Sequence, residues 1–114
     1  MEIREDRQDG VLVIAPGGRL DVTSSTDLER RLLDHLGKGE TRFVVDLEGV
    51  EYISSAGLRV LLFLAKKLKE RSGRVALCAL GPAVRQVFDL AGLLPIFAVE
   101  PSRQQAVGRV AQGA

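Results

Sequence analysis

The chain is short of several things, and each shortage excludes a class of protein. It has one Cys, so no internal disulfide framework is available, and a reducing cytoplasm is the expected compartment. One His beside that one Cys cannot supply a zinc site of the usual kind. There is no Trp and there are only five aromatic residues, four Phe and one Tyr, so the core must come from Leu, Val, Ile and Ala. Charge of one sign is missing too: 16 Lys and Arg against 15 Asp and Glu leave a formal net charge of +1, without the basic excess that marks a general nucleic-acid binder. Apolar runs such as Val11–Ala15 fall far short of the ~20 residues that span a bilayer, so no membrane partner is expected. The charged start, Met1-Glu-Ile-Arg-Glu-Asp-Arg7, lacks the apolar stretch of a signal peptide.

What remains is 114 residues, 46% hydrophobic and 27% charged, sized for a single domain over 1–114. Asp9-Gly10 between residues 2–8 and the run Val11–Ala15 reads as a hairpin, which Pro16-Gly17-Gly18 ends or bulges. Asp21 to Thr26 is dense in capping residues, and Leu28, Leu32 and Leu36 follow at helical spacing up to Gly37-Lys38-Gly39. A capping box there pairs Ser24 with Asp27 or Thr26 with Glu29. Arg42–Leu47 and Val75–Leu80 are continuous apolar runs, as strands buried on both faces require, and Val50–Ile53 is a shorter apolar patch.

Ser54-Ser55-Ala56-Gly57 opens a second helix with Leu58, Leu61, Leu62, Ala65 and Leu68 as its stripe, stopped by Ser72-Gly73. Pro82 begins a third, with Val84, Val87, Phe88 and Ala91 inward and Gly92 closing it. A strand at Ile96–Val99 and a helix after Pro101-Ser102, burying Ala106, Val107 and Val110, complete the chain, and Gln112-Gly-Ala114 is expected to fray. The order implies an α/β domain: a mixed sheet, its opening hairpin antiparallel and the rest parallel β-α-β units, with about four helices.

Ser54 and Ser55 stand where a strand end meets a helix N-terminus, whose free N–H groups and dipole favour a capping oxygen or an added phosphate. One of them serving only as the cap is the plain reading. A nucleophile is the sharper one, since Ile53-Ser-Ser-Ala-Gly57 partly matches a G-x-S-x-G elbow. The first Gly is absent, however, and His35 lies before the serine, among charged neighbours that suggest a solvated position. A small serine hydrolase therefore lacks its base. Arg59, Lys66, Lys67, Lys69, Arg71 and Arg74 form a basic cluster with Glu70 as the opposing charge, read as a solvated helix face because only Phe63 is near enough to stack on bases. Val60 and Phe63 fall outside the helix stripe. They either anchor a partner or are covered by a neighbouring element.

Asp46-Leu-Glu-Gly-Val-Glu-Tyr-Ile-Ser-Ser-Ala-Gly-Leu-Arg-Val-Leu-Leu62 closely resembles the signature of the STAS family: an apolar strand, Asp-Leu-Ser, an aromatic-Ile pair, then Asp-Ser-Ser-Gly-Leu and an apolar helix. Gly18-Arg-Leu-Asp21 and Leu90-Ala-Gly-Leu93 resemble two further family motifs in the right order. The resemblance implies a STAS-like domain acting as a free-standing anti-sigma-factor antagonist, not an enzyme. In that scheme the unmodified protein binds an anti-sigma factor that is also a serine kinase, which frees the sigma factor. Phosphorylation ends the association, a PP2C-type phosphatase restores it, and the ATP belongs to the kinase, so no cofactor or metal is implied for this chain. The acceptor falls on Ser55, with Ser54 in place of the family's Asp as second choice and Ala56 in place of its second Ser. Asp21, Ser54, Ser55, Gly57, Arg59, Val60 and Phe63 are the expected partner contacts. Asp46 is expected nearby, holding the serine loop or capping a turn. Arg59 stands where Gly is common. A STAS scaffold or transport-complex subunit whose serine is never modified is the alternative job for the same fold.

Overall fold

A computed structural model describes residues 1–111, so the expectation for Gln112–Ala114 lies outside the described residues. Strands β1 (Ile3–Gln8) and β2 (Val11–Pro16) pair antiparallel, Ile3 opposite Pro16 and Gln8 opposite Val11. Asp9 and Gly10 both take positive φ, 52° and 78°, the backbone that a two-residue hairpin needs to match the strand twist. Strands β4 (Arg42–Asp46), β6 (Arg74–Cys78) and β7 (Ala98–Glu100) extend this sheet in the order β1-β2-β4-β6-β7, every pair after the hairpin being parallel.

Four helices lie among the described residues: α1 (Val22–Gly37), α2 (Ser55–Glu70), α3 (Pro82–Leu90) and α4 (Arg103–Ala111). They cover both faces of the sheet, which explains the unbroken apolar runs. Leu12, Ile14, Phe43, Val45 and Leu77 point into one core with leucines of α1 and α2 and with Val84 and Phe88 of α3. The alternate residues Val11, Val13, Val44, Ala76 and Cys78 pack against Ala106, Val107 and Val110 of α4.

Several local expectations change. The Pro16-Gly17-Gly18 break does more than end a strand. It sends Gly18–Leu20 (β3) away from the main sheet to pair in parallel with Val50–Ile53 (β5) in a second, two-stranded sheet. The stripe of α2 shifts, burying Leu58, Val60, Leu61, Leu64 and Leu68 and leaving Leu62 and Ala65 half-buried, because α2 is covered by α1 as well as by the sheet. Ala91 is exposed as the cap residue of α3 rather than inward. The last strand begins at Ala98, after a 3-10 turn over Leu94–Ile96.

Candidate functional site

The small β3–β5 sheet sets the geometry of the serine segment. Leu20 and Ile53 are opposite one another, so the residues that follow them, Asp21 and Ser54, leave the sheet together and cap α1 and α2. The Ser54 N–H donates to the Leu20 carbonyl at 2.9 Å, which ties the two chain segments at that point. Two helix N-termini, each carrying partial positive charge, thereby begin side by side.

Asp21 accepts the Ser24 backbone N–H at 3.0 Å, and the Ser24 hydroxyl accepts the Asp21 N–H at 3.0 Å in return. This reciprocal box corrects the expected pairs: neither Ser24 with Asp27 nor Thr26 with Glu29 forms it. The Ser24 backbone N–H, then the Ser24 hydroxyl, hold the Asp21 carboxyl below the usual aspartate range.

The two candidate serines differ. Ser54 is the N-cap of α2, its hydroxyl accepting the Gly57 N–H at 3.2 Å. Ser55, the first residue of α2, is exposed, and its hydroxyl has no hydrogen-bond partner among the described residues. Gly57 is buried. A Cβ there would lie 2.8 Å from Ile53 Cγ1 and 3.2 Å from Leu20 Cβ, so the glycine allows α2 to close on the β3–β5 pair. The position therefore serves packing. Val60 is 7% exposed, the covered one of its two expected readings, and it lines a groove of about 290 Å³ with Val22, Ser25, Ala56, Arg59 and Phe63. Phe63 is half-buried, with the Lys67 ammonium 5.6 Å from its ring centroid. Arg59 is exposed on the rim, without an ion-pair partner among the described residues.

Two surface features escaped the sequence reading. Val22 is 72% exposed directly after Asp21. Arg19 and Tyr52, opposite one another in β3–β5, stack with the guanidinium carbon 4.2 Å from the ring centroid. The signal for that stack was period-two alternation, since Tyr52 precedes the inward Ile53 and Arg19 precedes the inward Leu20, but it becomes readable only once the two segments are known to pair.

Asp46 takes the second of its two expected roles, capping a turn. It is buried at the end of β4, where Oδ1 accepts the Glu48 N–H at 3.0 Å and Oδ2 accepts Arg103 Nε at 2.9 Å. It caps the β4–β5 turn and anchors α4; no bond joins it to the serines. Burial, with the Asp46 carboxylate alongside, pushes the Cys78 thiol up to about 12, so it is no nucleophile at neutral pH. His35 is not a solvated residue. Its Nε2 lies 3.0 Å from Glu5 Oε2, packed against β1, and it makes no bond to Ser55. Among the described residues Ser55 thus has no general base within bonding reach, and no group of three His, Cys, Asp or Glu is placed to hold a metal. No helix among them is long and apolar enough to cross a membrane. The Ser55 hydroxyl thus stands free at the exposed N-terminal end of α2.

The model of the STAS domain matches residues 2–106. The chain belongs to the STAS family. It is 43% identical over 106 residues to BtrV of Bordetella bronchiseptica, named as a candidate anti-sigma factor antagonist, covering 93% of this chain and 91% of that one. An anti-sigma factor antagonist from Mycobacterium paratuberculosis superposes with a TM-score of 0.87 at 29% identity, covering 96% of this chain and 92% of that one. The Bacillus cell fate determinant SpoIIAA in its phosphorylated form shares the fold, with a TM-score of 0.75 at 22% identity over 96% of this chain and 99% of that one.

Proposed function

We propose that this STAS domain is an anti-sigma-factor antagonist of the cytoplasm, switched by phosphorylation of Ser55. The observation that carries the reading is the exposed, unpartnered Ser55 hydroxyl beside a Ser54 hydroxyl already engaged as the helix cap. Relatives named as anti-sigma factor antagonists support the role. The unmodified chain binds an anti-sigma factor that is itself a serine kinase, and so releases the sigma factor. The docking face combines Asp21, Ser54, Ser55, Arg59 and Phe63 with Val22 and the Arg19–Tyr52 stack.

Phosphate on Ser55 adds about −1.5 to −2 charges at pH 7. The paired N-termini of α1 and α2 tolerate that charge, so the fold survives. A surface fitted to a neutral hydroxyl does not tolerate it: the dianion must be desolvated or repelled, and each ~1.4 kcal/mol of penalty weakens binding tenfold. A PP2C-type phosphatase then returns the protein to its binding form. The kinase supplies the nucleotide site, and this chain supplies only the acceptor oxygen, whose proton leaves as the γ-phosphoryl group is transferred from ATP.

The test is intact-mass measurement and peptide mapping of the wild type, Ser54→Ala and Ser55→Ala after incubation with ATP and extract of the source cells. One added phosphate, lost only in Ser55→Ala, is the expected result. If no phosphate appears while a control substrate in the same extract is modified, the switch is lost and an unmodified scaffold takes its place.

A further inference from the structure

The basic residues along α2 that the switch leaves unused border the roomiest of the surface depressions described. A groove of about 550 Å³ runs between the C-terminal half of α2 and the 3-10 turn, walled by Leu62, Ala65, Leu68, Val75 and Ile96. Ile96 is 59% exposed at its edge, an apolar side chain that a bound group would cover. Lys66 and Lys69 also line it, and no acidic residue does. They lie three residues apart, hence on one helix face. Both are exposed, and neither has an ion-pair partner among the described residues, because the adjacent Glu70 is turned to Lys67 at 3.7 Å. Lysine stems of this kind add apolar wall while their ammonium groups stay at the rim.

An apolar trough with two unpaired cations at its mouth is complementary to a molecule with an apolar body and an anionic head. The volume bears on the shape of that body. A docked helix, ~10–12 Å across with its side chains, would insert only one face here, whereas an extended alkyl chain is thin enough to lie along the trough. The size also falls within the roughly 300–1,000 Å³ of small-molecule sites.

We propose that this groove binds a free single-chain carboxylate amphiphile, its alkyl chain against Leu62, Leu68, Val75 and Ile96 and its carboxylate between the Lys66 and Lys69 ammonium groups. The site is independent of the Ser55 switch. Its helix residues, Leu62 to Lys69, lie about 10–21 Å along α2 from that serine, at 1.5 Å per residue, with the two lysines at the far end.

The test is an amide chemical-shift titration of the whole chain with sodium decanoate below its micelle concentration, run beside sodium acetate, sodium hexanoate and decyltrimethylammonium. Decanoate is expected to shift the amides of residues 62–69, 73–75 and 96. It should bind at least tenfold more tightly than decyltrimethylammonium, and hexanoate more weakly than decanoate, because each fully buried methylene is worth about fourfold in affinity. Lys66→Glu/Lys69→Glu, with both changes on the exposed helix face, should lose at least tenfold in decanoate affinity. Ser55→Ala should bind it as the wild type does, which separates this site from the switch. Equal binding of the cationic and anionic chains, an unchanged affinity in the double variant, or shifts scattered away from the groove would each overturn the proposal. So would an acidic amphipathic peptide that shifts these amides while decanoate does not, which would give the groove to a protein.

Discussion

Ser54 and Ser55 are adjacent and chemically identical, and the bond from the Gly57 N–H to Ser54 Oγ is what separates them. Ser54→Ala removes an N-cap oxygen and should cost about 1 kcal/mol, lowering the melting temperature by roughly 4 °C. Ser55→Ala removes an exposed hydroxyl that touches nothing and should stay within about 0.5 kcal/mol of the wild type. Thermal unfolding followed by circular dichroism checks both, and an equal loss in the two variants would contradict the assignment of the cap to Ser54. Asp21 makes a second, pH-dependent prediction. Its folded-state pKa is depressed by the bonds from Ser24. Its contribution is therefore fully present above the unfolded aspartate value of ~3.9 and is lost as pH falls through the lower, folded value. Asp21→Asn keeps a capping oxygen but cannot ionise. The stability gap between wild type and Asp21→Asn, measured by urea unfolding, should be widest at neutral pH and close in acid below pH 4. A gap that widened in acid would reverse the sign of the argument.

Among the elements, α4 packs its apolar face on the main sheet, and its Arg103 reaches back to Asp46 and, at 3.8 Å, to Asp6. Arg103 in its first turn reaches the buried Asp46 carboxylate, which also holds the β4–β5 turn through the Glu48 N–H. Arg103→Ala should destabilise the protein by about 1–3 kcal/mol by leaving a buried carboxylate oxygen without its donor. The guanidinium is partly solvated, so the fully buried extreme is not expected. Hydrogen exchange should quicken in α4 and in the turn after Asp46, while β2 and the N-terminal half of α2 keep their protection; uniform quickening would mean that the pair is no local anchor. Arg103 was not readable as a partner of Asp46, because nothing local connects residues 57 positions apart. What was readable is local. The Asp9-Gly10 turn, Pro82 at the first position of α3 and Ser54 at the cap of α2 announce themselves through backbone chemistry that acts over two or three residues. The doubly covered strands were readable because burial on both faces leaves no polar alternation. The second sheet was not, since three residues of β3 carry too short a pattern to name β5 as their partner. Val60 stayed open between a covered and a partner-facing reading for a related reason: a helical wheel records one buried face, while α2 is covered by the sheet and by α1 together.

At the scale of the molecule, the same architecture decides how a phosphate on Ser55 is felt. The serine stands on the outer end of α2, and the cores on the two faces of the main sheet are filled by other residues. The small sheet that aligns the two helix N-termini is held by backbone bonds and by Gly57 packing, none of which involves the Ser55 hydroxyl. A phosphate placed there would change the charge of a surface and leave the conformation beneath it alone, in contrast to a switch that melts or orders a segment. The expected result for the singly phosphorylated protein, compared with the unmodified form by amide chemical shifts, is a set of changes confined to residues 19–24 and 52–60. Residues of β2, β4 and β6 and of α4 should keep their positions. The melting temperature should change by less than about 4 °C, because a dianion at a helix N-terminus is favourable by roughly 0.3–1 kcal/mol. Shifts spread through the main sheet would show that the phosphate acts by repacking the core, and loss of partner binding would then have to be explained by a change of shape rather than of charge.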